Sequence, residues 1–161
     1  MLPQKIIILM GSKNDLTFAR KIEEFIKQEG FNVNCEYLIA SAHRNPDYLL
    51  QRLDENEKKG EVIVYVTVAG LSDALSGVTA GFTTRPVIAC PPDIEKYGLM
   101  KVFSSVMTPK GVPVMLVSNP ENAALAAIKI LALNNSLLCK EIAAYNQKKR
   151  KEVMADSEVG K

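Results

Sequence analysis

The sequence predicts an α/β fold: three layers, α/β/α, around a doubly wound sheet of about five parallel strands, with an extra C-terminal helix. Three observations predict it. Ile6-Ile7-Ile8-Leu9 and Val62-Ile63-Val64-Tyr65-Val66-Thr67-Val68-Ala69 are apolar runs rich in β-branched residues, which suit parallel strands covered on both faces. Segments with apolar residues at helical spacing alternate with the strands. A length of 161 residues fits a single domain spanning 1–161, with a flexible polar tail from about 154.

The first strand covers Lys5 to Met10 and is central. Gly11-Ser12-Lys13-Asn14-Asp15 follows, then a helix with Phe18, Ile22, Phe25 and Ile26 on one face, ending at Gly30. In the second strand Phe31, Val33, Cys35 and Tyr37 alternate with Asn32, Asn34 and Glu36, a polar row that places it at or near a sheet edge. Asn45-Pro46 starts the next helix, which runs to about Lys59. The third strand is the most apolar and central. A short helix over Leu75 to Phe82 leads to the fourth strand, Pro86 to Cys90, which Pro91-Pro92 closes rigidly.

A helix is expected from Asp93 to Thr108, then a fifth strand, Val112 to Val117, where Pro113 argues for an edge. Asn119-Pro120-Glu121 caps a helix apolar on nearly every side through Leu133. Such a helix needs cover on two sides, most simply the sheet and another subunit. Leu137 to about Val153 forms the last helix. With right-handed crossovers the strand order is 2-1-3-4-5, that of flavodoxin-like folds.

Ser41-Ala42-His43-Arg44-Asn45-Pro46-Asp47 holds the only histidine in the chain. Histidine exchanges protons near neutrality, and the adjacent arginine suits a phosphate or carboxylate. The segment follows the second strand, and open α/β sheets bind ligands at the carboxyl ends of their strands. Gly11 to Asp15 adds a strand, a short turn and a helix start, whose unpaired N–H groups receive anions. Ser12 and Asn14 bring further donors, and Asp15 can accept from sugar hydroxyls; each of the three can also simply cap the helix. Ala69 to Gly77 is rich in small residues and permits close backbone approach by a ligand. With Cys90 to Pro92, four strand ends converge.

A net charge of +2 supplies no field for nucleic acid, and Lys148-Lys149-Arg150-Lys151 has no interleaved aromatics, so it reads as a solvated helix face. Three widely spaced cysteines make neither a zinc site nor a disulfide framework; Cys90, at a strand end, is a candidate pocket wall. The N-terminus has no signal-peptide pattern, and no apolar run approaches the roughly 18 residues of a membrane span. These features predict a cytoplasmic protein with no nucleic-acid or membrane partner. A phosphoryl-accepting receiver module would need acidic residues after the first and third strands, where Met10-Gly11 and Ala69-Gly70 stand.

Gly11-Ser12-x-x-Asp15 and Ser41-Ala42-His43-Arg44-x-Pro46 resemble the signatures of the aminoimidazole ribonucleotide (AIR) carboxylases and carboxyaminoimidazole ribonucleotide mutases of purine biosynthesis. The resemblance runs from about Ile6 to about Leu133. The mutase type usually carries Ala-Ala-His-Leu-Pro-Gly after the third strand. Here Ser72-Asp73-Ala74-Leu75-Ser76-Gly77 takes its place, and with Ile88-Ala89-Cys90-Pro91-Pro92 the chain looks like the carboxylase type that uses carbon dioxide directly. Asn14 and Asn45 are smaller departures from the mutase pattern.

The resemblance implies His43 as the catalytic proton shuttle. It implies Gly11, Ser12, Asp15 and Arg44 as phosphate and ribose ligands, and Ser41, Ala42, Gly70, Ser72, Asp73 and Ala74 as the ring and carbon dioxide pocket. The substrate would be AIR with carbon dioxide, or the product in reverse, with no cofactor and no metal. The alternatives are the mutase reaction on the N5-carboxylated isomer and a non-catalytic nucleotide-binding module. The family resemblance further implies a homo-oligomer, a tetramer or octamer.

Overall fold

The computed structural model describes residues 2–158. Five parallel strands, β1 (Gln4–Met10), β2 (Asn34–Ile39), β3 (Val62–Val68), β4 (Val87–Ala89) and β5 (Met115–Leu116), form one sheet in the order β2-β1-β3-β4-β5. Between and after them run α1 (Leu16–Gln28), α2 (Pro46–Glu57), α3 (Ala74–Phe82), α4 (Ile94–Tyr97), α5 (Leu99–Val106), α6 (Pro120–Ala132) and α7 (Ser136–Glu158). The predicted architecture, order and central placement of β1 and β3 are all present.

The alternation of side chains across a strand divides the core in two. Ile6, Ile8 and Met10 of β1 and Val64, Val66 and Val68 of β3 pack under α1 and α6. Ile7 and Leu9, with Ile63 and Tyr65, face the opposite side under Leu49 and Leu53 of α2 and Leu75 of α3. Lys5 ties the strand starts together, its ammonium 2.7 Å from both Glu36 and Glu61. No described helix is long and apolar enough to cross a membrane.

Four expectations change. The helix expected from Asp93 to Thr108 is two short helices, α4 and α5, because Gly98 turns the chain at φ +56° and ψ −137°, a conformation open to glycine. The fifth strand shrinks to two residues at the sheet edge. The second cover for α6 comes from within the chain: α7 folds back so that Leu138 is buried and Ile142 and Tyr145 pack on the same core. The Tyr145 ring meets Phe25 edge-on, centroids 5.8 Å apart, and lies 5.6 Å from Phe31. Exposed apolar side chains include Leu99, Met100 and Phe103 on α5, and Leu133 and Leu137 where α6 meets α7. Last, α7 runs to Glu158 where the polar tail was expected from about 154, and 159–161 lie outside the described residues.

Candidate active site

The carboxyl ends of β1, β2, β3 and β4 surround one cavity of about 640 Å³. Its first wall is the loop after β1. Ser12 and Asp15 cap a single 3-10 turn reciprocally: the Asn14 N–H donates to Ser12 Oγ at 3.1 Å, and the Ser12 N–H donates to Asp15 Oδ2 at 2.9 Å. Ser12 and Asp15 thus cap the turn that leads into α1, whereas α1 itself has no side-chain cap. This capping leaves Gly11, Ser12, Asn14 and Asp15 lining the cavity nonetheless. The other oxygen of Asp15 accepts the Gly70 N–H at 3.2 Å, joining the first loop to the third.

The second wall is the histidine segment. Asn45 does not cap α2 with its side chain; its Oδ1 turns back to accept the Ser41 N–H at 2.7 Å. The Arg44 N–H donates to Ser41 Oγ at 3.2 Å and the Asn45 N–H to Ser41 O at 3.1 Å. Ser41 and Asn45 thus close a tight loop that leaves Ala42, His43 and Arg44 on the cavity, with His43 and Arg44 exposed to solvent and incoming ligand.

The third wall, after β3, contains Ala69, Gly70, Leu71, Ser72 and Leu75. Leu71 adopts φ +56°, a left-handed backbone that costs a β-carbon residue about 1–2 kcal/mol. Lys101 of α5 offsets that strain by donating to Ala69 O at 2.5 Å and to Leu71 O at 2.6 Å. Its ammonium is buried; desolvation pushes its pKa down from the ordinary lysine value, and the charges of Asp73, Asp93 and Asp15 oppose that shift.

Two predicted pocket residues stand behind the wall rather than on it. Asp73 is 4% exposed and caps α3, accepting the Ser76 N–H at 3.0 Å, the Ser76 hydroxyl at 2.6 Å and the Ser105 hydroxyl at 2.7 Å. Its own N–H donates to Ser104 Oγ at 2.6 Å. Ala74 opens α3 and likewise does not line the cavity. Cys90 does not line it either: it is fully buried, and burial pushes its thiol pKa up to about 12. The fourth wall is Asp93, at φ +66° beyond Pro91-Pro92.

Sequence reasoning missed Asp93 and Lys101. The first carried a signal in its place after a rigid strand end; the second carried none, because nothing marks one lysine of a helix as buried.

A family model described as AIR carboxylase matches residues 5–152. The chain belongs to the AIR carboxylase family. The loops after β1 and β2, which carry the resemblance to this family, both lie on the cavity. A phosphoribosylaminoimidazole carboxylase of Archaeoglobus fulgidus is 44% identical over 156 residues, covering 96% of this chain and 84% of that protein. An N5-carboxyaminoimidazole ribonucleotide mutase of Methanocaldococcus jannaschii is 41% identical over 155 residues, 95% of each. The crystal structure of Treponema denticola PurE superposes with a TM-score of 0.90 at 33% identity, covering 96% of this chain and 97% of that one. As an AIR carboxylase family member, the chain is an enzyme with a role in purine biosynthesis. The names of its relatives divide between carboxylase and mutase.

Proposed function

We propose that this enzyme carboxylates AIR at C4 with carbon dioxide, reversibly and without ATP, with His43 as the proton shuttle. The observation that carries the reading is the cavity itself: the chain's only histidine stands on it beside Arg44, and the loop opposite, Gly70-Leu71-Ser72, brings no second histidine.

The aminoimidazole ring is an electron-rich enamine. C4 attacks the carbon of carbon dioxide, the new C–C bond forms, and a C=O electron pair moves onto oxygen to give the carboxylate. C4 then carries both the carboxylate and its hydrogen. His43 takes that proton and the ring regains its aromaticity; in reverse it returns the proton to C4 and carbon dioxide leaves. The remaining work is orientation and exclusion of water. Gly11, Ser12 and Arg44 hold the phosphate, and Asp15 serves the ribose and keeps the first loop in place. Ser41, Ala42, Gly70 and Ser72 border the ring and carbon dioxide, while Asp73 and Ala74 act from behind, Asp73 joining the start of α3 to α5 through Ser76 and Ser105. The chain's apolar α5 surface suits contact with a second copy, so the enzyme works as a homo-oligomer.

The second reading, mutase activity on the N5-carboxylated isomer, is favoured by the 41% identical relative that carries that name. Purified enzyme is assayed without ATP by the ultraviolet absorbance of the carboxylated product, once with AIR and carbon dioxide and once with the isomer. Turnover of AIR alone supports the carboxylase; turnover of the isomer alone replaces it with the mutase; nucleotide binding without turnover in either arm replaces both with a binding module.

A further inference from the structure

We propose that Lys101 is a positioning residue for the reaction, its ammonium fastening the carbonyls of Ala69 and Leu71 so that the loop between them stays against the reacting ring. The inference rests on the carboxylase reading above.

The peptide group between Ala69 and Gly70 is held at both ends by charge. Its carbonyl accepts from the Lys101 ammonium at 2.5 Å, and its N–H donates to the Asp15 carboxylate at 3.2 Å. Charge-assisted hydrogen bonds of this kind are stronger and more directional than neutral ones. A peptide plane gripped from opposite sides by a cation and an anion cannot rotate, and this plane lies on the cavity wall. The second bond of Lys101, to Leu71 O at 2.6 Å, holds the next turn of the loop in its left-handed form.

Lys101 does not touch the first cavity. It lines a separate hollow of about 290 Å³ behind the loop, which shares Leu71 and Ser72 with the first. Its effect on chemistry must therefore pass through the loop. Helix α5 reinforces the grip twice more, through Ser104 to the Asp73 N–H and through Ser105 to the Asp73 carboxylate. The phosphate and ribose are held by other loops, so loosening this one should misplace the ring while leaving the nucleotide bound. Misplacement on the order of 1 Å can cost about 100-fold in rate.

The test compares Lys101→Met with the parent enzyme in three readouts: kcat, the Kd for AIR by calorimetry, and hydrogen–deuterium exchange of the 69–73 segment without ligand. The expected result is a kcat about 30–100-fold lower, an AIR affinity within about 3-fold of the parent, and faster exchange confined to 69–73. Unchanged kcat, or loss of binding and turnover in proportion to the unfolded fraction, overturns the proposal. Should Lys101→Met fail to fold, Lys101→Gln, which keeps a donor but loses the charge, decides: a lower kcat with unchanged AIR affinity supports it, and parental kcat overturns it. Failure of the carboxylase reading is distinct, because the parent itself would then not turn over AIR.

Discussion

Asp15 and Asp93 crowd Gly70 from two sides: a β-carbon at that position would lie 3.3 Å from Asp15 Oδ1 and 3.2 Å from Asp93 Oδ2. Both contacts are tighter than side chains ordinarily accept, and the two carboxylates differ in their freedom to yield. Asp93 is exposed, whereas Asp15 is buried and already accepts from Ser12 and Gly70.

Gly70→Ala is therefore expected to reduce stability by about 1–3 kcal/mol and to lower kcat/KM. Adding Asp93→Ala removes one of the two contacts and should restore part of the stability. Urea denaturation of the single and double variants checks both; a Gly70→Ala protein as stable as the parent would show that the crowding is absorbed without cost.

His43→Asn should fold and melt like the parent, since His43 is exposed. It should lose about 100- to 10,000-fold in carboxylation and in decarboxylation alike, with AIR affinity retained by calorimetry. Near-parental rates in either direction would remove His43 from its assigned role.

Burial raises the thiol pKa of both Cys35 and Cys90 to about 12, against 9.0 for the unperturbed group. A group whose folded pKa exceeds its unfolded value adds stability that is complete below the unfolded pKa and is lost as pH rises towards the folded one. The melting temperature should thus begin to fall above about pH 9, and less steeply in a Cys35→Ala, Cys90→Ala variant. At pH 8 iodoacetamide should modify Cys139, the exposed thiol, well before the other two, as mass spectrometry of the peptides would reveal.

Leu138→Ala removes a nearly fully buried side chain from the seam between α6 and α7. The expected loss is about 2–5 kcal/mol, read from the shift in urea midpoint. A loss below about 1 kcal/mol would mean that α7 covers the core only loosely.

The sheet was legible because its strands obey simple patterns. Ile6 to Leu9 and Val62 to Ala69 could be little else, and the polar row of β2 announced an edge. The loops after β1 and β2 were legible as cavity walls, because the lone histidine beside an arginine stands at one strand end while small and polar residues stand at three others. What stayed hidden depended on contacts between distant segments. Asp73 carries the family's pocket position by resemblance, yet its carboxylate turns to Ser76 and Ser105, and Ala74 begins α3. Cys90 sat at a strand end yet faced inward. The break at Gly98 was written in the sequence as a single glycine, but helices tolerate one, and only its conformation separates α4 from α5. The sequence points outside the chain for the cover over α6, because the turn at Asn134-Asn135-Ser136 does not say that α7 folds back.

The sheet is lopsided: β1 and β3 pair along seven residues each, while β4 has three and β5 two. Fastening is thus dense on the half of the sheet towards β2, which carries the histidine loop, and sparse on the half towards β5, where β4 leads to Asp93. Warming will fray such a sheet from its short side inward, so the protein should lose the Asp93 wall of its cavity while the His43 loop still stands on an intact floor.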